Sequence, residues 1–316
     1  MLDKTIYIEY LDCYLPETKL NLADCPDHLA EDIGAYFSDR EDFLHFSTSV
    51  LFLDNIRVER RLDLEKMVML LLDQYVQRQG AVARTVKYLI IATDYSYDLK
   101  DFGHHIFHRL AVPRSTVFRV ADNYCANIDI AIGLAAALLR AKQEPSRAII
   151  IAGARLGDGL AGRVVGTYGI LGDSAGIMVL SNDEGSHLAE VSGQVVVTRG
   201  ELAEMDLTQD NTLLHLQSYS TCLKELLLQS GLLPSMVDQV VIHNANQLLL
   251  QQVIKSCGIS TRTINKLNLG KFGHLGTCDL VLNLKTILEQ DDKAAGNIVS
   301  LNLGIIGTYV STLFRQ

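Results

Sequence analysis

One segment restricts the possible folds more than any other. Residues 127–142 read NIDIAIGLAAALLRAK, which places apolar side chains around almost the whole circumference of a helix. A helix without a polar face has to be covered on all sides, so it lies in the centre of the protein. It is too short to span a membrane, and no stretch of about 18 uncharged apolar residues occurs elsewhere. The sequence therefore predicts a buried central helix.

Strand-like and helix-like patterns alternate around this segment. Residues 87–93 and 147–152 are continuous apolar runs of buried-strand type, and residues 64–79 have helical spacing. The second part of the chain repeats this order, with predicted strands at 189–198, 238–243 and 297–303 and predicted helices at 212–231, 246–257 and 280–289. Such alternation predicts an α/β fold with a mostly parallel sheet.

The two parts are separated by a turn rather than by a linker. Residues 181–185, SNDEG, form a cluster of turn-favouring residues. We therefore place a boundary between an N-terminal half, residues 1–181, and a C-terminal half, residues 182–316. Because no low-complexity segment separates them, we expect the halves to share one packed core.

Composition excludes several classes of protein. The 316 residues are 48% hydrophobic and 21% charged, which excludes intrinsic disorder. A net charge of −9 argues against nucleic-acid binding. The six cysteines contain no CxxC pair, which argues against a zinc ribbon or a thioredoxin-type site. No secretory leader pattern opens the chain, so we expect a cytoplasmic protein with reduced thiols.

Three residues are candidates for chemistry on their local context. Cys125 lies between a strand-like run and the central helix, where a helix N-terminus favours the thiolate. His243 ends an apolar strand and opens a helix. His274 lies in a loop whose glycines let the backbone approach a substrate closely. From context alone, a buried structural cysteine and a core histidine remain alternatives, and Asn244 and Asn246 beside His243 suit helix capping.

Short motifs in order along nearly the whole chain resemble the ketoacyl-ACP synthase III branch of the thiolase superfamily. They are Tyr14-Leu15-Pro16, which resembles YLP; Asn55 to Arg61, which resembles TGIxxRR; the segment at Cys125, which resembles ACSG; Gly172 to Gly176, which resembles GDGAG; His243 to Asn246, which resembles HQAN; and Phe272 to Thr277, which resembles YGNTS. Each motif is weak alone. The resemblance implies a thiolase-like duplicated five-layer α-β-α-β-α fold.

The resemblance also implies roles for individual residues. Cys125 would be the nucleophile that holds the acyl group, and His243 would be a base or a hydrogen-bond donor to the thioester oxygen. His274 occupies the position of the family's Asn, and relatives with a Cys-His-His set support condensation. Backbone N–H groups would form the oxyanion hole; the candidates are Cys125, Gly304, Ile306 and Gly307. The implied substrate-binding residues are Asn246, Arg57 and Arg155.

The implied activity is acyl transfer through an acyl-cysteine from a coenzyme A or carrier-protein thioester. We expect decarboxylative Claisen condensation with a malonyl-type thioester, in a fatty-acid-related or secondary-metabolic pathway. One alternative is a non-decarboxylative acyltransferase that forms an ester, an amide or a thioester. Another is a non-catalytic partner subunit of a heterodimeric synthase. The chain has no Trp, and its acidic segment 24–54 departs from the family's coenzyme A docking region.

The resemblance implies partners as well. We expect a homodimer, or a heterodimer with a paralogue, with residues 114–122 at the interface. The substrates would be carried as coenzyme A or phosphopantetheine thioesters, and no other cofactor is expected. Five arginines are candidates for a basic patch that binds the phosphates, with ordinary surface charge as the alternative: Arg57, Arg60, Arg61, Arg155 and Arg163. The spacing of His104, His105 and His108 suits a metal, but the family uses none there, and we predict no metal site.

Overall fold

The computed structural model describes residues 4–25, 31–93, 101–112, 115–185, 187–204, 212–290, 296–304 and 306–316. The helices are α1 (Glu31–Gly34), α2 (Arg40–Ser49), α3 (Leu64–Gln79), α4 (Phe102–Leu110), α5 (Asn127–Arg140), α6 (Thr212–Gln229), α7 (Gln247–Ser256) and α8 (Cys278–Leu288). The strands are β1 (Tyr7–Tyr14), β2 (Lys19–Asn21), β3 (Asn55–Arg57), β4 (Val86–Thr93), β5 (Thr116–Val120), β6 (Arg147–Ala154), β7 (Val164–Val165), β8 (Gly169–Ile170), β9 (Ser174–Ser181), β10 (Ala189–Thr198), β11 (Gln239–Ile242), β12 (Asn297–Gly304) and β13 (Thr308–Arg315).

The long strands form one sheet in the order β11-β12-β13-β10-β1-β9-β6-β4-β5. Strands from the first half of the chain are neighbours at one end of this order, and strands from the second half are neighbours at the other. They meet where β1 pairs with β10 through Tyr7 and Ile8. The predicted boundary at residues 181/182 falls between β9 and β10, and it stays a prediction.

The expectation of a mostly parallel sheet is wrong. Strand β4 pairs in parallel with β5 and β6, and β11 with β12, but the other neighbours in this sheet are antiparallel. The direction of each strand depends on the segment that connects it to the next strand. Helices cross between the parallel strands, whereas β12 and β13 form a hairpin whose tight turn is closed by Gly307 N–H donating to the Gly304 carbonyl.

Five layers of structure are present, as expected. Helices α5 and α8 form the middle layer, where Ile132 and Leu284 pack among residues from both groups of strands, such as Ile150 and Val241. Helices α3 and α4 cover the outer face of the first group. Helices α6 and α7 cover the outer face of the second. The predicted central helix is therefore α5, and its burial follows from its lack of a polar face.

Local signals placed several elements accurately. Helix α3 and strand β10 have the predicted bounds, 64–79 and 189–198. Gly231, which follows α6, has a positive φ of 64°, as a glycine in the C′ position of a helix does. A smaller core forms around α2, where the ring of Phe37 contacts those of Phe43 and Phe46. In the described part of the chain, no helix is both long and apolar enough to cross a membrane.

Candidate active site

Cys125 lies in a single 3-10 turn, Tyr124–Ala126, that leads directly into α5. Tyr124 has a φ of 47° and Asp122 a φ of 68°, values in the left-handed region that cost free energy for residues with a side chain. Hydrogen bonds hold this turn in place. Asn127 Oδ1 accepts from the Asn123 N–H, and Asn127 Nδ2 donates to the Thr93 carbonyl. The thiol is thereby fixed and half-buried at the N-terminus of the central helix.

The thiol faces His274. Cys125 Sγ lies 3.2 Å from His274 Nε2, and His274 Nδ1 lies 2.5 Å from Asp279 Oδ2. Because the ionised carboxylate only accepts hydrogen bonds, the proton of a neutral imidazole is on Nδ1, and Nε2 is left as an acceptor toward the thiol. Thiol, imidazole and carboxylate therefore stand in the order that characterises catalytic triads.

Asp279 was not among the residues predicted from sequence. It is fully buried in the first turn of α8, and it accepts hydrogen bonds from the N–H of Leu275, from the N–H of Asn244 and from Asn244 Nδ2. Burial alone would raise its pKa, but His274 and His243 outweigh that effect and lower the pKa to about 2. A carboxylate in the first turn of a helix is common because it interacts favourably with the helix dipole. In the sequence, only the five-residue spacing between His274 and Asp279 could have indicated their contact.

The backbone of β8 and of Gly172, the first residue of the GDSAG motif, positions His274. The N–H of His274 donates to the Ile170 carbonyl, and the N–H of Gly172 donates to the His274 carbonyl. A Cβ at Gly172 would lie 2.5 Å from the Phe272 carbonyl oxygen, so only glycine allows this approach. The motif therefore places the histidine loop against β8.

Asp173 of the same motif has a structural role. Its carboxylate accepts from both terminal nitrogens of Arg163 and from the N–H groups of Glu59 and Leu156. Arg163 is fully buried, so its assignment to a surface basic patch is wrong. The sequence could not show this because an arginine in a glycine-rich stretch is usually exposed. Of the other patch candidates, Arg60 and Arg61 are exposed.

His243 is fully buried beside His274, with ring centroids 5.1 Å apart. Its Nε2 accepts a hydrogen bond from the N–H of Leu303, at 3.0 Å. The ring proton is therefore on Nδ1, which lies 3.7 Å from Asp279 Oδ2. Burial lowers the pKa of His243, opposed by its interaction with Asp279, and the imidazole is held neutral. In this arrangement Nε2 is occupied by the backbone of β12.

Besides Cys125, three residues were predicted for the oxyanion hole, and they lie at or just after the end of β12: Gly304, Ile306 and Gly307. A Cβ at Gly304 would lie 2.2 Å from the Asn123 carbonyl oxygen, so glycine lets β12 approach the turn that carries Cys125. Ile306 follows in the hairpin turn, where the N–H of Gly307 is already bonded to the Gly304 carbonyl. Gly304 therefore adjoins the turn that carries Cys125, while the N–H of Gly307 is bonded to the Gly304 carbonyl. The oxyanion role of these residues stays a prediction.

The predicted substrate-binding residues separate into two groups. Asn246 caps α7, since its Oδ1 accepts from the N–H groups of Leu248 and Leu249, and it also lines a cavity. Arg57 donates to the carbonyls of Pro16 and Glu17, and Arg155 donates to Asp158. These recorded contacts are with protein groups rather than with the cavity wall.

A cavity with a volume of about 410 Å³ lies near the site. Tyr168 and Leu303 belong to its wall, and the Tyr168 ring lies edge-on to His274, with centroids 5.7 Å apart. Phe46 from α2 and His215 from α6 form other parts of the wall. Among the described residues of this wall there is no Lys, Arg, Asp or Glu. The cavity therefore has an uncharged wall that meets the two histidines through Tyr168, whose ring lies against His274, and Leu303, whose N–H bonds His243.

Three buried residues of the site offer atoms that could bind a metal ion. His243, His274 and Asp279 each offer one donor atom, all within 4.8 Å of one another. The imidazole of His274 and the carboxylate bond to each other, whereas the buried Nδ1 of His243 lies 3.7 Å from the carboxylate and has no hydrogen-bond partner among the described residues. On α4, His105 Nδ1 pairs with Glu65, at 2.6 Å. The prediction of no metal site stays a prediction.

Comparison with known families gives a match at the C-terminus. Residues 227–315 match the family model described as the C terminal part of 3-oxoacyl-[acyl-carrier-protein] synthase III. The matched region contains His243, His274 and Asp279 and ends before the last residue of the chain. No curated protein sequence matches.

Solved structures match over nearly the full length. The acyltransferase ChlB3 superposes with a TM-score of 0.81 at 19% identity, covering 98% of this chain and 97% of its own. OleA from Xanthomonas campestris superposes with a TM-score of 0.80 at 16% identity, covering 100% of both chains. The 3-oxoacyl-[acyl-carrier-protein] synthase III from Aquifex aeolicus gives 0.77 at 17% identity, covering 98% of this chain and 100% of its own. The predicted thiolase-like α/β fold is therefore confirmed.

Proposed function

We propose that this chain is an acyltransferase that works through an acyl-Cys125 intermediate, with His274 as the base and Asp279 as its orienting carboxylate. The observation that carries the proposal is the continuous contact from Cys125 Sγ to His274 Nε2 and from His274 Nδ1 to Asp279. The fold shared with ChlB3, whose name describes an acyltransferase, supports it.

In the first step His274 Nε2 takes the proton of the Cys125 thiol, and the sulfur attacks the carbonyl carbon of a donor thioester. The imidazolium that forms is stabilised by the buried carboxylate of Asp279. As the tetrahedral adduct collapses, the bond to the donor's sulfur breaks, and His274 returns the proton to the departing thiolate. The products are acyl-Cys125 and a free donor thiol.

In the second step the acceptor is an alcohol, an amine or a thiol. His274 Nε2, again neutral, takes the proton from the acceptor as its heteroatom attacks the acyl carbon. Cleavage of the bond to Cys125 Sγ releases the ester, amide or thioester, and the thiolate recovers its proton from His274. One base serves both steps because its proton is returned in each.

The expected decarboxylative condensation is the second candidate. Two neighbouring imidazoles, one of them in contact with the thiol, favour it, as does the family whose C-terminal part matches residues 227–315. That reaction would need proton donors toward the enolate oxygen of a malonyl-type thioester. His243 does not supply one in this arrangement, since its Nε2 accepts from Leu303 and its neutral ring carries the proton on Nδ1. We therefore favour simple acyl transfer over condensation and over a non-catalytic role.

A two-part experiment tests the proposal. The purified chain is incubated with butyryl-coenzyme A, and the mass of the intact protein is measured, with Cys125→Ala as the control. The acylated protein is then offered either malonyl-coenzyme A or a panel of alcohols, amines and thiols. We expect a butyryl adduct on Cys125, transfer to a member of the panel, and no release of CO₂. Stoichiometric CO₂ from the malonyl thioester would establish condensation instead, and the absence of any adduct would support a non-catalytic partner subunit.

The remaining expectations belong to the same proposal. The donors are coenzyme A or carrier-protein thioesters, without a further cofactor, and nucleic acid and membranes are not partners. Strand β5 stands at the edge of the sheet with Val117 exposed, and it lies within the predicted interface of residues 114–122. An unpaired edge suits strand pairing between two subunits, which supports a homodimer, with a heterodimer as the alternative. The proposed location is the cytoplasm.

A further inference from the structure

Asp129 is a buried carboxylate that the acyl-transfer chemistry does not use. It lies in the first turn of α5, four residues after Cys125, and its side chain is fully buried. Its Oδ1 accepts hydrogen bonds from Thr312 Oγ1, at 2.8 Å, and from Ser300 Oγ, at 3.1 Å. Its Oδ2 accepts from Asn302 Nδ2. The carboxylate therefore joins the helix that follows the nucleophile to β12 and β13.

The backbone of Asp129 adds a connection to a third strand. Gln194 of β10 donates from Nε2 to the Asp129 carbonyl, at 2.7 Å, and to Thr312 Oγ1, at 3.1 Å. A Cβ at Gly133 would lie 2.2 Å from Gln194 Oε1, so glycine lets α5 approach this side chain. Three neighbouring strands, β12, β13 and β10, are thus bonded directly or through one side chain to the first turn of α5.

No cation compensates the charge of this carboxylate. Among the described residues, Asp129 forms no ion pair with a Lys, Arg or His, and burial raises its pKa to about 6 in spite of the hydrogen bonds that it accepts. Burying a charge without a counter-ion costs stability, and an apolar side chain would avoid that cost. The stability of the fold alone therefore does not account for an acid at this place.

The hydrogen bonds of Asp129 lie beside the contacts that assemble the site. Asn302 directly precedes Leu303, whose N–H donates to His243. The next residue, Gly304, is where β12 approaches the turn of the nucleophile. The nucleophile comes from the first half of the chain and both histidines from the second. Their separation therefore depends on how α5 is held against β12.

We propose that Asp129 is a positioning residue, which holds Cys125 at the distance from His274 that proton transfer requires by bonding α5 to β12 and β13. This inference rests on the proposed acyl transfer and deepens it by naming the group that sets the position of the thiol. Because Asp129 is fully buried, it acts through the helix and not on the donor. A change at Asp129 should therefore alter the maximal rate of acylation and not the donor concentration at half that rate.

The test alters the carboxylate and then restores the pair in the opposite order. In Asp129→Asn the new Nδ2 faces Asn302 Nδ2. Because two donors meet, either the strand moves away or one amide turns and leaves a buried N–H unpaired. In the double variant Asp129→Asn/Asn302→Asp, the amide on α5 donates to the carboxylate on β12. Thr312→Val removes a single donor, and Ser311→Ala, on the opposite face of β13, is the matched control.

Two rates are measured at pH 7 on variants whose unfolding transitions show that they are folded. One is the rate of butyryl-adduct formation over a range of butyryl-coenzyme A concentrations, by intact-protein mass spectrometry. The other is the rate at which iodoacetamide alkylates Cys125, with Cys125→Ala giving the background from the other thiols. The second rate requires no acyl donor, so it reports on the thiol independently of the proposed function.

We expect Asp129→Asn to slow both reactions by at least about 10-fold, since a displacement of about 1 Å between reacting groups can cost about 100-fold. The donor concentration at half the maximal rate should stay within about 2-fold of the wild type. The double variant should recover to within about 3-fold of the wild-type rates. Thr312→Val should show a smaller loss in the same direction, and Ser311→Ala should react as the wild type does.

The outcomes separate this inference from the proposed function. Wild-type rates in Asp129→Asn and Thr312→Val would contradict the positioning role and leave the acyl transfer intact. A folded double variant as slow as Asp129→Asn would also contradict it, and so would a loss confined to the half-saturating donor concentration. If the wild type forms no butyryl adduct, the proposed function fails, and the alkylation rates still decide the role of Asp129. If Asp129→Asn does not fold, the rates of Thr312→Val decide it.

Discussion

His243 accepts at Nε2 the hydrogen bond that the backbone N–H of Leu303 donates, at 3.0 Å. This contact fixes the imidazole to β12 and occupies its Nε2. His274, 5.1 Å away between ring centroids, has the opposite arrangement, with Nδ1 on Asp279 and Nε2 on Cys125. Two histidines of one site are thereby given different roles by their hydrogen-bond partners.

We predict that His243→Gln slows the acylation of Cys125 by less than about 10-fold. Glutamine retains an oxygen that accepts from the N–H of Leu303, so the strand keeps its position, and the lost contact is worth about one uncharged hydrogen bond. The rate of appearance of the butyryl adduct measures this. A loss of about 1000-fold in a folded variant would show that His243 is itself the base.

We predict that Asp279→Asn lowers the acylation rate by about 100- to 10,000-fold. The amide can donate to Nδ1 of His274 and so favours the tautomer whose Nε2 carries the proton, which cannot receive one from the thiol. The same assay measures the rate, and the unfolding transition checks that the variant is folded. An unchanged rate would show that the carboxylate does not set the tautomer of His274. A suitable control is Asp183→Asn at a partly exposed carboxylate beside Arg147.

We predict that Gly304→Ala disrupts the nucleophile turn. The new methyl group would lie 2.2 Å from the Asn123 carbonyl, so either β12 or the turn at Cys125 has to move. We expect a destabilisation of about 1–3 kcal/mol and slower acylation, measured by denaturant unfolding and by the adduct assay. Gly185→Ala is the matched control, because its Cβ meets nothing within 4 Å. Equal stability of the two variants would contradict the close approach.

We predict that the stability of the protein depends on pH because the carboxyl group of Asp129 has a raised pKa in the folded state. Burial raises its pKa from 3.8 to about 6, although Thr312, Asn302 and Ser300 donate hydrogen bonds to it. Between these two values the folded state binds the proton more tightly than the unfolded state does. Stability is therefore highest below about pH 4 for this group and is lost as the pH rises toward 6, by at most about 3 kcal/mol.

The substitution Asp129→Asn isolates this contribution, since it removes the titrating group and keeps its shape. The difference in unfolding free energy between the variant and the wild type should grow in favour of the variant from pH 4.5 to pH 7. Denaturant titrations at both values measure it. A difference independent of pH would show that the carboxylate does not titrate in this range.

Structural features that depend on neighbouring residues could be predicted from the sequence, and features that depend on contacts between distant segments could not. The bounds of α3 and the burial of α5 follow from apolar periodicity, which the residues themselves carry. The antiparallel pairing of β1, β9 and β10 does not, because it depends on how distant strands meet rather than on their composition. A buried strand appears in the sequence as an apolar run whether its neighbours are parallel or antiparallel.

The site shows the same limit. Cys125, His243 and His274 were predicted as candidates from their contexts and from ordered motifs. Asp279 was not, because a carboxylate in the first turn of a helix is ordinary until its contact with His274 is known. Likewise, the burial of Arg163 against Asp173 depends on the folding of the loop around them. Side-chain pairs that form only when distant segments of the chain meet cannot be identified from the order of residues alone.

The central claim is that His274 activates Cys125. Its most direct test is the rate of butyryl-adduct formation on the intact protein in the wild type, in His274→Ala and in Cys125→Ala. We expect an adduct on Cys125 in the wild type, at least about 100-fold slower acylation in His274→Ala, and none in Cys125→Ala. Acylation of His274→Ala at the wild-type rate, or an adduct that persists in Cys125→Ala, would contradict the claim.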